Sequence, residues 1–245
     1  MLKNADDLGE DLIVLFKAGD DLRMDIVTLQ LFKIMQTLWF QNKLSLKMSI
    51  YNVISTGDME GMLEVVTNSI TVAQIHKEQG GSLQCFKKDA VKNWILKSKL
   101  VSEEECYENF LLSCVAYCCA TFVLGIGDRH SDNIMVKKNG ELFHIDFGHF
   151  LGHFKYKMGI KRERAPFVFT NQFKEVLDTK GPEGYNDFKK KLWEAYKILR
   201  DNSDVLVTDP LLPSSVFRPA QRGPPVLCLR HADLRPDVQV QRADP

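Results

Sequence analysis

The sequence predicts an α+β fold in two lobes. Three observations lead there: strand-like and helical apolar patterns mix in the first third, a long uncharged helical segment fills the middle, and a short hairpin ringed by polar residues follows it. The 245 residues carry 32 basic and 32 acidic side chains and are 44% hydrophobic, a globular composition. Zero net charge argues against a surface given over wholly to nucleic acid. The opening MLKNADDLGED has no basic start followed by an apolar run, so no secretory signal is expected and the chain reads as cytoplasmic.

Residues 11–17, DLIVLFK, read as a strand ending on a lysine. After the turn AGDD, Leu22, Ile26, Leu29, Ile34 and Leu38 recur near helical spacing, predicting a helix over about 20–41 capped by Asp20 or Asp21. Two strands are expected near 48–55 and 61–66, separated by Thr-Gly-Asp turn chemistry. Short helices near 71–78 and 88–97 precede a long one opened by the capping box Ser102-Glu-Glu-Glu105. That helix should be the spine of the second lobe. Residues 109–127 carry no formal charge, but Asn109, Ser113, Thr121, Gly125 and Gly127 make a buried core helix a better reading than a membrane span. Cys114, Cys118 and Cys119 lie in it without zinc-like spacing and read as reduced packing residues. A last helix is expected near 186–200.

IMV and LFHID flank Asn139-Gly140, a strong hairpin signal. A two-residue turn there would set Asn133 opposite Asp146 at the hairpin's open end. One carboxylate and one amide oxygen suit magnesium, which fills its other positions with water and phosphates. Asp128, Arg129, His130 and Asp132 immediately precede Asn133, so an acid, a base and a cation would stand beside the metal.

GIGDRHSDNIMV followed by LFHIDFGHFLG resembles the catalytic and metal-binding loops of phosphoinositide 3-kinase catalytic subunits. LFKAGDDLRMD resembles that family's lysine strand and following helix, and GMLEVV and KMGIKRERAPFVFT extend the likeness over about residues 8–200. The resemblance implies a bilobal protein-kinase-like (PI3/PI4-kinase) catalytic domain that moves the ATP gamma phosphate to the 3-hydroxyl of an inositol lipid, with ATP and Mg2+ as cofactors. Lys17 would contact the phosphates with Asp25 as its partner, as protein kinases pair a strand lysine with a helix acid. Glu64, Val65 and Val66 would form the hinge that reads the adenine edge, and Tyr51, Leu63, Met135 and Ile145 the walls of its slot. Met24 stands where the family has Gln. The order Asp-Arg-His reverses that of protein kinases. His130 would be the general base, a role suited to a group that titrates near neutrality. Asp128 would orient the site, Arg129 brace the loop, His149 reach toward the transferring phosphate, and Asn133 and Asp146 hold magnesium.

Residues 155–164 hold Lys155, Lys157, Lys161, Arg162 and Arg164 against one acid, Glu163. Two separate basic boxes resemble class I enzymes, which accept phosphatidylinositol 4,5-bisphosphate. Class II enzymes share the second box and Ala-Pro-Phe but lack the first, class III lipid kinases lack KRER, and the large protein-kinase relatives have Asp where His149 stands. A phosphoinositide at a membrane surface is therefore the expected partner, with peripheral recruitment to the plasma membrane. The family's regulatory subunit and small GTPase would need domains missing from this chain.

The expected organisation is a partial small lobe over 1–66, a large lobe over 67–200, and a tail over 201–245. Only 16 residues precede Lys17, too few for the family's phosphate-covering loop and its two strands. All 22 Lys and all 13 Glu lie before residue 201, whereas the tail holds 7 of the 9 Pro and one aromatic, Phe217. Such a shift suggests a changed reading frame or spliced end and poor order. An inactive fragment that only binds nucleotide or lipid, and a class II enzyme, are the alternative readings.

Overall fold

A computed structural model describes residues 12–80, 87–149, 156–157, 160–161 and 167–207. The first lobe is a three-stranded antiparallel sheet of β1 (Val14–Ala18), β2 (Val53–Gly57) and β3 (Glu60–Glu64), ordered β1-β3-β2, with helix α1 (Arg23–Gln41) against it. Lys17 stands opposite Gly61. A Cβ on Gly61 would come 2.6 Å from Leu22 Cδ1, so α1 begins hard against the sheet at the lysine's level.

Two expectations shift here. No aspartate caps α1: Leu22 holds the N-cap without a side-chain bond, while Asp21 accepts from the Arg23 amide and guanidinium. The strand expected over 48–55 starts only at Val53, and the turn falls at Asp58-Met59, with Met59 at φ 57°. Leu44, Leu46 and Met48 alternate inward as a strand would, but they lie outside any sheet on a segment turned by a Leu46 amide to Leu44 carbonyl bond of 3.0 Å and packed into the core, where Ser49 O accepts from the Tyr117 hydroxyl at 3.1 Å.

The second lobe holds α2 (Val72–Glu78), α3 (Ala90–Ser98), α4 (Glu103–Val123), α5 (Asn171–Leu177), α6 (Pro182–Asp201) and α7 (Ser203–Val207). A second sheet joins β4 (Ser69–Thr71), β5 (Ile134–Lys137) and β6 (Leu142–His144) in the order β4-β5-β6. Ser102 caps α4 by accepting from the Glu105 amide at 3.1 Å. By length and hydropathy α4 could cross a membrane, but 83% of its apolar window is buried among the other elements. It is the spine the sequence predicts, packing on α5, α6 and β6, with Phe110, Tyr117 and four buried free cysteines on its length. Fully burying each such aromatic contributes about 2–3 kcal/mol. The lobes meet through α1, whose Trp39 indole donates to the Ala195 carbonyl of α6 at 3.0 Å. Helical structure continues through α7, with Leu206 1% exposed; residues 208–245 lie outside the described ones.

The β5–β6 hairpin differs from expectation by one residue. Ile134 pairs with His144, Met135 with Phe143 and Val136 with Leu142. The loop therefore has three residues, Lys138, Asn139 and Gly140, and Asn133 faces Ile145 rather than Asp146. A two-residue type I′ turn needs positive φ at both residues, but only Gly140 has it, at 95°. Asn139 instead accepts from the Glu141 amide with its own side chain, and Asn109 of α4 grips its carbonyl at 2.8 Å. A Cβ on Gly140 would collide with the Cys106 carbonyl of α4. Gly140→Ala should therefore cost about 1–3 kcal/mol in denaturant unfolding, from positive φ and crowding together.

Candidate active site

Two loops meet below α1: residues 127–133, between α4 and β5, and residues 145–149, after β6. Backbone bonds stitch them together, Gly127 N to His149 O at 2.8 Å and Ile145 N to Asn133 O at 3.0 Å. Arg129 closes the junction. Its guanidinium donates to the carbonyls of Gly127 (2.9 Å), Ile145 (2.6 Å) and Asp146, and lies 5.6 Å from the Phe147 ring centre. Burial lowers the pKa of this guanidinium, opposed by the charges of Asp146, Asp128 and Asp25. The clamp holds two aspartates in left-handed backbone, Asp128 at φ 55° and Asp146 at φ 61°, a conformation that costs a non-glycine residue on the order of 1 kcal/mol or more.

Asn133 is buried and donates its Nδ2 to the Asp128 carbonyl at 2.9 Å, which turns its Oδ1 acceptor the other way. The charge of Asp146 is felt at Lys17, Asp25, Tyr51 and Arg129, so its carboxylate lies among them. Among the described residues no three His, Cys, Asp or Glu side chains converge as a metal cage. The Asp146 carboxylate and the Asn133 amide oxygen are donors of the type magnesium takes, with phosphate and water supplying the rest.

His130 is exposed at the loop tip, its Nδ1 3.3 Å from the Asp132 amide and 3.7 Å from the Asp132 carboxylate. His149 is half-buried and ties its loop to Gly127 through its carbonyl. Behind both, His144 stacks on Tyr117 at 5.1 Å, and its Nδ1 has no partner among the described residues. Burial and then the Arg129 charge hold its pKa well below the usual value, so this ring is neutral.

Lys17 does not pair with Asp25. Its ammonium forms an ion pair with Asp20 instead. Asp25 is 4% exposed and accepts from the Phe147 amide at 3.3 Å. Desolvation lifts its carboxyl to about 6, with Asp146 adding to the rise and the Phe147 bond and Lys17 opposing it. The physical reason is burial: α1 carries Asp25 under the Asp146-Phe147 turn, while Asp20 stays in the half-exposed turn beside the lysine. Asp20 lies three residues after Lys17, a spacing the sequence displays but whose pairing depends on how that turn folds.

Tyr51, expected as a wall of the adenine slot, is buried, and that burial pushes its hydroxyl's pKa up while it interacts with the Asp146 backbone. Tyr51, Glu64 and Val66 line a cleft of ≈ 360 Å³ at the connection between the lobes, together with Ile13 and Lys137. Leu63, Met135 and Ile145 are half-buried against the core and do not line that cleft. Leu63 does share Lys17's face of the sheet, two ladder positions away. In the hinge-like segment, the Glu64 amide donates to Asn52 and the Val65 amide to Ile13, and the Val66 carbonyl accepts from Ser69. Of the basic loop, Lys157 and Lys161 fall on β7 (Tyr156–Lys157) and β8 (Ile160–Lys161), a short antiparallel pair. Lys155, Arg162 and Arg164 lie outside the described residues.

The model of the family described as Phosphatidylinositol 3- and 4-kinase matches residues 11–209. Phosphatidylinositol 3-kinase 1 of Dictyostelium discoideum is 51% identical over 207 residues, covering 83% of this chain and 13% of that protein. Phosphatidylinositol 3-kinase C2 domain-containing subunit gamma of Homo sapiens is 40% identical over 208 residues, 83% of this chain and 14% of that protein. Its Rattus norvegicus counterpart is 39% identical over 237 residues, 95% of this chain and 16% of that protein. The chain thus spans about an eighth to a sixth of these relatives' length.

Proposed function

The chain belongs to the phosphatidylinositol 3- and 4-kinase family, and on that premise we propose that its site transfers the gamma phosphate of ATP to the 3-hydroxyl of phosphatidylinositol 4,5-bisphosphate or a related phosphoinositide. The carrying observation is the Arg129 junction, which draws the Asp128–Asn133 and Asp146–His149 loops together, with the Asp146 charge reaching Lys17. Phosphoryl transfer asks a protein mostly for positioning and charge neutralisation. Lys17 neutralises phosphate oxygens, and the Glu64–Val66 segment presents backbone groups to the adenine edge. Asn133 and Asp146 would hold magnesium, which neutralises charge on the phosphates when bound. His130, exposed beside Asp132, takes the proton from the lipid hydroxyl as its oxygen bonds to phosphorus and the bond to ADP breaks. Asp128 and His149 orient the attacking and transferring groups.

Lys155, Lys157, Lys161, Arg162 and Arg164 support recognition of an anionic headgroup, and the two-box pattern favours a class I enzyme acting at the plasma membrane. Identity to a C2 domain-containing subunit favours a class II enzyme as the second reading. A regulatory subunit and small GTPase would engage parts of a longer polypeptide. A kinase assay on phosphatidylinositol and its 4,5-bisphosphate should yield 3-phosphorylated lipid, lost in Asp146→Asn and His130→Ala. Binding of ATP or lipid without turnover would instead support the binding-module alternative. Lys155→Ala with Lys157→Ala should depress use of the bisphosphate more than of phosphatidylinositol; equal losses would remove the class I argument.

A further inference from the structure

Lys17 sits among three carboxylates whose charges reach it, those of Asp20, Asp146 and Asp25, yet its ion pair is with Asp20. That choice is built into the backbone. Gly19, at φ 86°, and Asp20 both donate their amides to the Met59 carbonyl, at 2.7 and 3.1 Å, so the tip of the β2–β3 hairpin pins the turn that carries Asp20. The adjacent acid is taken up elsewhere: Asp21 is engaged by Arg23 at 2.6, 2.8 and 3.1 Å. Asp25 is turned to the Phe147 amide in the interior.

We propose that Asp20 is the positioning residue for the nucleotide lysine: it holds one ammonium N–H and thereby fixes where the other two point. The proposal rests on the reading of Lys17 as a phosphate ligand. An ammonium has three donors on a flexible four-carbon stem. Holding one donor against a carboxylate whose backbone is itself pinned removes much of the rotamer freedom that phosphate binding would otherwise have to restrict. The pair also maintains the charge. Burial works against the Lys17 ammonium, but the Asp20 bond and the neighbouring carboxylates outweigh it and raise its pKa.

The test compares the full chain with Asp20→Asn, Asp20→Glu and the control Asp21→Asn, which removes the same charge one residue away. Lys17 acylation by an N-hydroxysuccinimide ester at pH 8, followed by peptide mass spectrometry, should run about 3- to 10-fold faster in Asp20→Asn, because losing the Asp20 bond frees more of the amine from its proton. It should stay near wild type in Asp20→Glu and Asp21→Asn. Affinity for a methylanthraniloyl ATP analogue should fall about 3- to 10-fold in Asp20→Asn, a loss of about 0.7–1.4 kcal/mol, and be regained in part with Glu. Equal acceleration in Asp20→Asn and Asp21→Asn, or none in either, would overturn the proposal. If wild type fails to bind the analogue while the labelling contrast persists, Asp20's hold on Lys17 stands and the phosphate-ligand reading falls.

Discussion

Arg129→Ala is expected to lower the unfolding free energy by about 1.5–3 kcal/mol, the range for hydrogen bonds made by a charged group, here a half-buried one. The guanidinium donates to three carbonyls on two loops, and its removal leaves the Gly127, Ile145 and Asp146 oxygens short of that donor. It also removes a positive charge that interacts with those of Asp146, Asp128 and Asp25. Two of these aspartates hold left-handed backbone that relaxes once the clamp is gone. Urea unfolding measures the loss, and hydrogen exchange locates it: the amides of Gly127 and Ile145 should lose protection well before those of α4. Arg129→Lys should recover only part of the stability, since one ammonium cannot span three carbonyls in the geometry of a planar fork. A loss below about 1 kcal/mol with exchange unchanged at Gly127 would show that the backbone bonds alone hold the junction.

Asp25→Asn is expected to stabilise the chain by about 3 kcal/mol at pH 7.5, the free energy that the raised Asp25 pKa represents. The Asp25 carboxyl is raised from 3.8 to about 6. A group whose folded pKa is raised binds its proton more tightly in the native state. Its stabilising contribution is therefore complete below the unfolded value and is lost as pH rises through about 6. At neutral pH the buried carboxylate is a burden that Asn removes, while the Asn oxygen still accepts from the Phe147 amide. The Lys17–Asp20 pair is untouched. Melting temperatures from pH 4 to 8 check this: the variant's advantage should be widest above pH 7 and close toward pH 4. A variant less stable than wild type at pH 7.5 would mean that the Asp25 charge is compensated more fully than its burial implies.

The legibility of this chain varied with the range of the interactions concerned. The cap at Ser102, the buried character of α4 and the extents of α2 and α3 follow from local pattern, because capping and amphipathicity are properties of a few consecutive residues. The segment around Leu44, Leu46 and Met48 misled the same reasoning. Alternation marks which side chains turn inward, and an unpaired segment pressed into a core alternates as a ladder strand does. The capping aspartates of α1 misled it differently, since Asp20 and Asp21 found cations on either side and left the helix end to Leu22.

The sequence by itself determined which chemical groups could meet: one lysine ending the first strand, one run of Asp128 to Asn133, one Asp146 beyond a hairpin, in an order that places the chain in its family. The tertiary structure decided how they meet. Asn133 faces Ile145 because Gly140 must pass against the Cys106 carbonyl and Asn109 grips the turn, contacts 30 or more residues apart in the chain. Asp20 rather than Asp25 takes Lys17 because the packing of α1 buries one acid beneath the Phe147 amide and leaves the other in a turn pinned by Met59. Residue identity limits the possible partners. Burial, which sets the cost of leaving each charge or polar group unmatched, chooses among them.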